Sequence, residues 1–431
     1  MNIKTILIAC ITCVFLSCTD DDVILVPQIQ STGVEGDFIE LTIGESITLS
    51  PVLNTKVVSY SWLVGEVEVA TGATYLFESS NLGTYKVLMN ASNSMGEVSY
   101  EYIIKVIKGK YLGGIIVTNE GPFQNGSASV MHLSDDLSVV TDAIYKKENG
   151  LDVGNILQSL LLHGDQAFLV LNNSQKIEVV NRYTFINENT ISEHLINPRY
   201  AAVINDKLYV SNWGDTGVDT DDYIAVFDVE TLDYEMSISV VLGPENMEVI
   251  GNTLYVAHQG AYGYNNKISV INTLTNTVAS EITVGDVPNS MAVDSEGDLW
   301  VLCGGIPSWT GNETFGSLHK INAATNVVST TFNMENAHPG YLTIDGGTIF
   351  YAKGANVYMM MNTATELPTN VHIETEAASL YSLTANSGHL FATDAKDYAS
   401  KGTLFVYDYL TKETVSTITT GILPNGVYFN N

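Results

Sequence analysis

The stretch Lys207-Leu208-Tyr209-Val210-Ser211-Asn212 is followed, after a loop rich in Gly and Asp, by Tyr223-Ile224-Ala225-Val226-Phe227-Asp228. Short apolar runs bounded by turn residues read as strands. The first run returns as Leu254-Tyr255-Val256-Ala257, and taking Leu208, Leu254, Leu299, Ile349 and Leu390 as equivalent gives steps of 46, 45, 50 and 41 residues. Working outward, Ala167 lies 41 residues before Leu208, and Ile115 lies 52 before Ala167, which makes seven units. Each unit carries a third strand that often closes on Asp or Asn, as at Asp228, Asn272, Asn322, Asn362 and Asp408, and then a fourth, such as residues 278–282. Four strands per 40–50 residues is the period of a propeller blade. The spacing therefore predicts a seven-bladed β-propeller over residues 110–431. The first unit begins at Tyr111-Leu112-Gly113 with no inner strand, whereas the chain ends on Leu423-Pro424-Asn425-Gly426-Val427-Tyr428-Phe429. That tail matches Val287-Pro288-Asn289-Ser290-Met291-Ala292-Val293. It should complete the first blade and remove an open edge.

Composition narrows the function. Of 431 residues, 45% are hydrophobic and only 15% charged, against a usual ~25% charged. Neither a disordered chain nor a coiled coil has that balance. Eighteen basic residues face 48 acidic ones, a formal charge of −30, and Arg182 and Arg199 are the sole arginines. Phosphate-backbone binding needs the opposite balance, which argues against nucleic acid as a partner. An acidic surface suits cations or neutral ligands held by stacking and hydrogen bonds.

Residues 1–4 give a short positive end and residues 5–16 an apolar run of 12. This is a secretory signal rather than a membrane span, which needs about 20 residues. Phe15-Leu16-Ser17-Cys18 resembles a bacterial lipobox, with Phe15 and Ser17 departing from its usual letters. The resemblance implies cleavage after residue 17, a lipid on Cys18, and membrane attachment through that anchor alone. Thr19-Asp20-Asp21-Asp22 is similar to the acidic tag that sends lipoproteins to the outer face of the outer membrane. Residues 1–17 are thus read as a signal peptide and 18–28 as a lipidated acidic linker. Cys10 and Cys13 leave with the signal, so only Cys303 remains; placed after Leu299-Trp300-Val301-Leu302, it reads as a small core residue.

Residues 29–108 alternate apolar and polar positions in short runs, broken by Asn54-Thr55, Asn81-Leu82-Gly83 and Met95-Gly96. That is the pattern of a small β-sandwich. Ser59-Tyr60-Ser61-Trp62, Gly83-Thr84-Tyr85-Lys86-Val87, Ala91-Ser92-Asn93 and Tyr102-Ile103-Ile104-Lys105-Val106 resemble the PKD-type immunoglobulin-like sandwich, with Trp62 as its core tryptophan. Leu63-Val64-Gly65-Glu66 stands where that family has a Gly-Asp-Gly turn. Such a module implies a spacer.

The repeated strands Leu208-Tyr209-Val210-Ser211-Asn212 and Leu254-Tyr255-Val256-Ala257 resemble the YVTN or YncE-like surface propellers. Val117-Thr118-Asn119-Glu120-Gly121-Pro122-Phe123, Gly154-Asn155-Ile156-Leu157-Gln158-Ser159, and Asn172-Asn173-Ser174 with Asn197-Pro198-Arg199-Tyr200 resemble the DUF5074-type lipoproteins. These are similar to surface propellers that capture vitamin B12 and pass it to an outer-membrane transporter. The resemblance implies a cobamide as bound ligand and such a transporter as partner.

In a propeller, the loops between second and third strands share a face with the turns that enter each blade. Long loops there carry aromatic residues that cost solubility unless something covers them. The expected ligand-binding set is Asn119, Phe123, Gln124, Arg199, Tyr200, Trp213, Asn246, His258, Tyr262, Tyr264, Trp309 and Tyr341. Trp213, Tyr262, Tyr264 and Trp309 would stack, and Asn119, Gln124, Asn246 and Arg199 would hydrogen-bond, on a large flat ligand with amide edges. A corrinoid fits that description, and so does a glycan; the residues alone do not separate them. The same rings could instead pack on one another as small loop cores. Asp215, Asp219, Asp221 and Asp222 could hold calcium, or form a solvated loop, since their order does not match an EF-hand. Gly-x-Ser-x-Gly is absent and Gly304-Gly305 does not open a helix, so no enzyme is expected from nucleophile-elbow or dinucleotide motifs. A propeller enzyme of the lactonase or lyase type would put His258 or His338 to use. The rival to vitamin capture is a cell-surface protein that meets a glycan or another protein.

Overall fold

The computed structural model describes residues 24–36, 38–57, 59–123 and 128–431. The signal peptide, Cys18, the acidic residues that follow it and Gln124 lie outside these. The chain divides into two compact units between Lys108 and Gly109. Both are built of strands; the one α-helix among the described residues is Ile144–Asn149, and none is long and apolar enough to cross a membrane.

In the first unit five strands lie side by side in the order Phe38–Thr42, Gly96–Ile107, Gly83–Asn93, Ser59–Val64 and Val67–Ala70. The first pair is parallel and the others antiparallel. Two shorter ladders join Ser46–Leu49 to Tyr75–Glu78 and Ile29–Ser31 to Val52–Leu53. Period-2 patterning sets the core: Val87, Met89 and Ala91 point inward from one strand. Trp62 is fully buried against the stacked ring of Tyr102, and its indole N–H donates to the Gly72 carbonyl at 2.8 Å. A buried indole needs such an acceptor.

The second unit holds, among the described residues, seven four-stranded antiparallel sheets. Their second strands are unbroken buried runs, as in Lys207–Asn212, Thr253–His258 and Leu299–Cys303. Alternation is lost there because a neighbouring sheet covers each face. Outer strands such as Val327–Asn333 alternate, with Ser329, Thr331 and Asn333 toward solvent and Phe332 buried. The Asp or Asn that ends a third strand caps the next turn: Asp228 accepts from the amides of Glu230 and Thr231 at 3.0 and 2.9 Å, and Asp408 from Leu410 and Thr411 at 2.8 Å each. Asn205 and Asp206, at φ 50° and 59°, form the two-residue turn between the strands of one hairpin.

Successive sheets share apolar layers, and the last layer joins the seventh sheet to the first, with Ile115, Val117 and Val427 packed on Phe391, Leu404 and Val406. The seven strands that begin at Leu157, Pro198, Pro244, Pro288, Gly340, Leu380 and Pro424 touch one another in a closed cycle. The first sheet takes its inner strand from the far end of the chain, since Pro424–Phe429 pairs antiparallel with Ile115–Asn119. Arg182 fixes that end by donating to Asn430 Oδ1 at 2.7 Å, and Asn430 Nδ2 donates to the Tyr111 carbonyl at 2.6 Å.

Candidate functional site

All seven inner strands slip register at the same place, one residue after they start. Pairs on either side of the slip are, for example, Leu157↔Leu171 and Ser159↔Val170, or Leu380↔Asp394 and Ser382↔Thr393. Equivalent slips occur in the other five. A β-bulge re-aims the extra side chain out of the ladder. The residues so placed are Gln158, Arg199, Glu245, Asn289, Tyr341, Tyr381 and Asn425, one from each sheet. They form a polar ring at the hub.

Neighbouring ring members tie the sheets together. Asn425 Nδ2 donates to the carbonyls of Leu157 and Gln158 at 2.8 and 2.9 Å, Asn289 Nδ2 to Pro339 at 2.8 Å, and Tyr341 Oη to Leu380 at 3.0 Å. Arg199 Nε donates to Glu245 Oε1 at 3.0 Å with both side chains largely buried. Its guanidinium lies 4.0 Å from the Trp213 ring centroid, and the Trp213 indole donates to the Pro244 carbonyl at 3.1 Å. Among the described residues the Arg199 Nη groups have no acceptor. The four Nη–H donors of a rigid fork are left for another molecule.

Above the ring opens a cavity of about 1040 Å³ lined by Glu120, Phe123, Gln158, Arg199, Tyr200, Asn246, Asn289, His338, Tyr341, Tyr381, Tyr398 and Tyr428, among others. Glu120 accepts from Tyr381 Oη at 2.9 Å and from Asn425 Nδ2 at 3.3 Å. Burial pushes its carboxyl above the usual range, opposed by the Tyr381 hydrogen bond and the charge of Arg199. Burial likewise raises Glu245, with Arg199 pulling the other way. The Tyr341 phenol is pushed up to about 12 by burial, with Tyr398 and Glu120 adding to it. Tyr341 and Tyr398 both sit at φ 63°, a conformation that costs a bulky residue about 1–3 kcal/mol and persists where surrounding packing enforces it.

Of the residues expected from sequence, Phe123, Arg199, Tyr200, Asn246 and Tyr341 line this cavity. Asn246 Oδ1 is buried there without a hydrogen-bond partner among the described residues. Asn119 is fully buried, with Nδ2 on Ser129 Oγ at 3.2 Å. His258 is also fully buried: its Nε2 contacts Ser269 Oγ at 2.8 Å, and burial lowers its pKa to about 4. Both sit inside sheets, where a ligand does not reach. Trp213 braces Arg199 from outside the cavity, and Tyr262 packs edge-on against it at 5.7 Å. Tyr264 and Trp309 are exposed and do not line the cavity, Trp309 standing on the short turn Ser308–Thr310.

The acidic loop does not gather ligands for a cation. Asp215 Oδ1 accepts from the Gly217 amide at 3.0 Å, Asp221 Oδ2 from the Asp215 amide at 2.9 Å, and Asp222 Oδ2 from the Gly243 amide at 2.5 Å. Asp219 brings no third oxygen to them: among the described residues the one trio whose ligand atoms converge within 4.8 Å is Asp294, Glu296 and Asp298. Lys320 already occupies that trio, 3.1–3.3 Å from each. Cys303 is buried and free, its thiol pushed up to about 12, an inert core position.

The turns that enter each blade also pointed to Asn289 and Tyr381 around the central hole, and both line the cavity; sequence reasoning missed Glu120, Gln158, Glu245, Asn425 and Tyr428 at the hub. A signal was present in the repeated dipeptides Pro198-Arg199, Pro244-Glu245, Pro288-Asn289 and Pro424-Asn425, which mark four of the seven bulges.

A closed cycle of four-stranded sheets around a polar hub makes this a propeller-type protein. The chain belongs to the DUF5074 family, a domain of unknown function, which it matches over residues 113–426. Among solved structures it is similar to a quinonprotein alcohol dehydrogenase-like protein from Bacteroides thetaiotaomicron VPI-5482, at 15% identity and a TM-score of 0.57, covering 94% of this chain and 99% of that one. It is also similar to the computationally designed Ika8 protein, at 9% identity and a TM-score of 0.49, covering 74% of this chain and 90% of that one. No curated protein matches it.

Proposed function

We propose that this chain is a surface lipoprotein whose seven-bladed propeller, closed by its C-terminal strand, binds a ligand in the hub cavity, and that the ligand is a cobamide captured for an outer-membrane transporter. Residues 29–108 form a PKD-like spacer, and Cys18 carries the lipid that holds the protein on the outer face of the outer membrane. The observation that carries the binding reading is the hub itself. Glu245 is buried and Arg199, Glu120 and Asn246 are partly withdrawn from water; Asn246 Oδ1 is buried without a partner, and the Arg199 Nη groups meet a cavity of about 1040 Å³ without an acceptor among the described residues. Burying such groups is costly unless a partner completes them. The volume suits a ligand larger than a single sugar. Tyrosine faces with amide and guanidinium donors suit the apolar ring and carboxamide edges of a corrinoid.

A glycan is the second reading, favoured by the exposed rings of Tyr262 and Trp309. Calorimetric titration of residues 19–431 with cobalamin and cobinamide tests the first. Nanomolar binding, about −12 kcal/mol, is the expected result; a folded protein that gives no heat with either would move the assignment to glycan or protein recognition.

A further inference from the structure

The hub cavity is asymmetric in charge. Among the described residues no lysine lines it, and Arg199, the one arginine that does, is already paired with Glu245. The second carboxylate, Glu120, stands among rings instead. Tyr381 donates its hydroxyl to Glu120 at 2.9 Å, and Tyr398 meets the Tyr381 ring edge-on at 5.9 Å and 84°. Tyr341 shares the wall, and its phenol feels both Glu120 and Tyr398. Tyr341 spends its proton on the Leu380 carbonyl and Tyr381 spends its own on Glu120. What these two residues offer a ligand is therefore ring surface. Glu120 accepts two hydrogen bonds, out of the roughly four a carboxylate can take. A group that satisfies the rest must carry positive charge or strong donors and tolerate aromatic faces.

We propose that Glu120 and the rings of Tyr341, Tyr381 and Tyr398 form a subsite for an organic ammonium group, primary or quaternary. Aromatic faces attract such a cation through their negative quadrupole, and a buried carboxylate supplies the countercharge. A metal ion is disfavoured, because one carboxylate and phenol rings make a poor oxygen shell. The upward shift of Glu120 agrees with this, since a nearby cation would restore the ionised form that burial disfavours. The assignment rests on the hub cavity being a ligand site, yet it does not require that the ligand be a cobamide.

The test compares choline with its neutral isostere 3,3-dimethylbutan-1-ol on the soluble chain, by saturation-transfer NMR of the methyl signals. Choline is expected to bind roughly tenfold more tightly than the isostere. Glu120→Gln should remove that preference. Tyr398→Ala, at a half-exposed position where folding is not at risk, should weaken choline by a few-fold. Equal binding of choline and isostere, or a preference unchanged in Glu120→Gln, overturns the subsite. Cobinamide titrated on the same samples separates the two claims. Cobinamide binding without a choline preference sinks the subsite and leaves vitamin capture standing. A Glu120-dependent choline preference without cobinamide binding supports the subsite and sinks the cobamide assignment.

Discussion

The hub and the rim of the second unit use the same residue types in opposite ways. At the hub, Glu245 is 3% exposed against Arg199, and Trp213 is pinned beneath that arginine. On the rim, Asp215, Asp219 and Asp221 are exposed, Asp215 and Asp221 accept from amides of their own loop, and Trp309 is 84% exposed. An exposed carboxylate or ring costs the fold little and says little. A buried one must be compensated, so its position records what the fold is organised around.

The largest effect is expected from removing residues 424–431. The first sheet would lose its inner strand, the layer of Val427 against Phe391 and Leu404, and the Arg182–Asn430 clamp. The product should unfold or aggregate, as seen by loss of a cooperative melt and elution in the void volume. A truncated protein with unchanged melting would break the closed-cycle account.

Next comes Glu245→Ala, which strands the Arg199 guanidinium. Removing one partner of a buried pair costs about 3–5 kcal/mol, whereas Asp215→Ala on the rim should change stability by less than about 0.5 kcal/mol. Urea denaturation of both variants makes the comparison, and equal losses would erase the distinction between hub and rim.

A smaller effect involves Glu248, further along the same inner strand, whose carboxyl burial pushes up to about 7. Its folded value lies above its unfolded value, so the folded state holds the proton more tightly. Its stabilising contribution is present below about pH 4 and is lost as pH rises to about 7. Glu248→Gln should therefore match the wild type at pH 4 and exceed it by about 1–3 kcal/mol at pH 8. A gap that is constant with pH would remove burial as the cause. Smallest of all, Trp309→Ala should shift unfolding by less than about 0.5 kcal/mol, since the ring packs on nothing that the fold needs.

The same contrast explains what the sequence disclosed. Leu208-Tyr209-Val210 and its equivalents were legible because a strand covered on both faces must be apolar throughout. Asp228 and Asp408 were legible because the turn needs their side chains. Aromatic residues drew attention to the rim, since a sequence shows residue type and loop length but not burial. The hub was legible only in part: Arg199, Tyr200, Asn246 and Tyr341 follow from the turns that enter each blade, but one extra residue per inner strand decides which side chain meets the axis, and no periodicity reveals that slip. Asn119 and Glu120 show the cost: the ladder ends at Asn119 and keeps it inside the sheet, and the next residue, Glu120, turns into the cavity. Proline marks four bulges, but Leu157-Gln158, Gly340-Tyr341 and Leu380-Tyr381 carry no such mark.

The most direct test of the hub as the binding site is a parallel calorimetric titration of Arg199→Gln, Glu120→Gln and Trp309→Ala proteins with cobinamide, beside the wild type. The account predicts that both hub variants lose at least tenfold in affinity with melting preserved in Glu120→Gln, and that Trp309→Ala binds as the wild type does. Loss of binding in Trp309→Ala, with both hub variants unaffected, would contradict it.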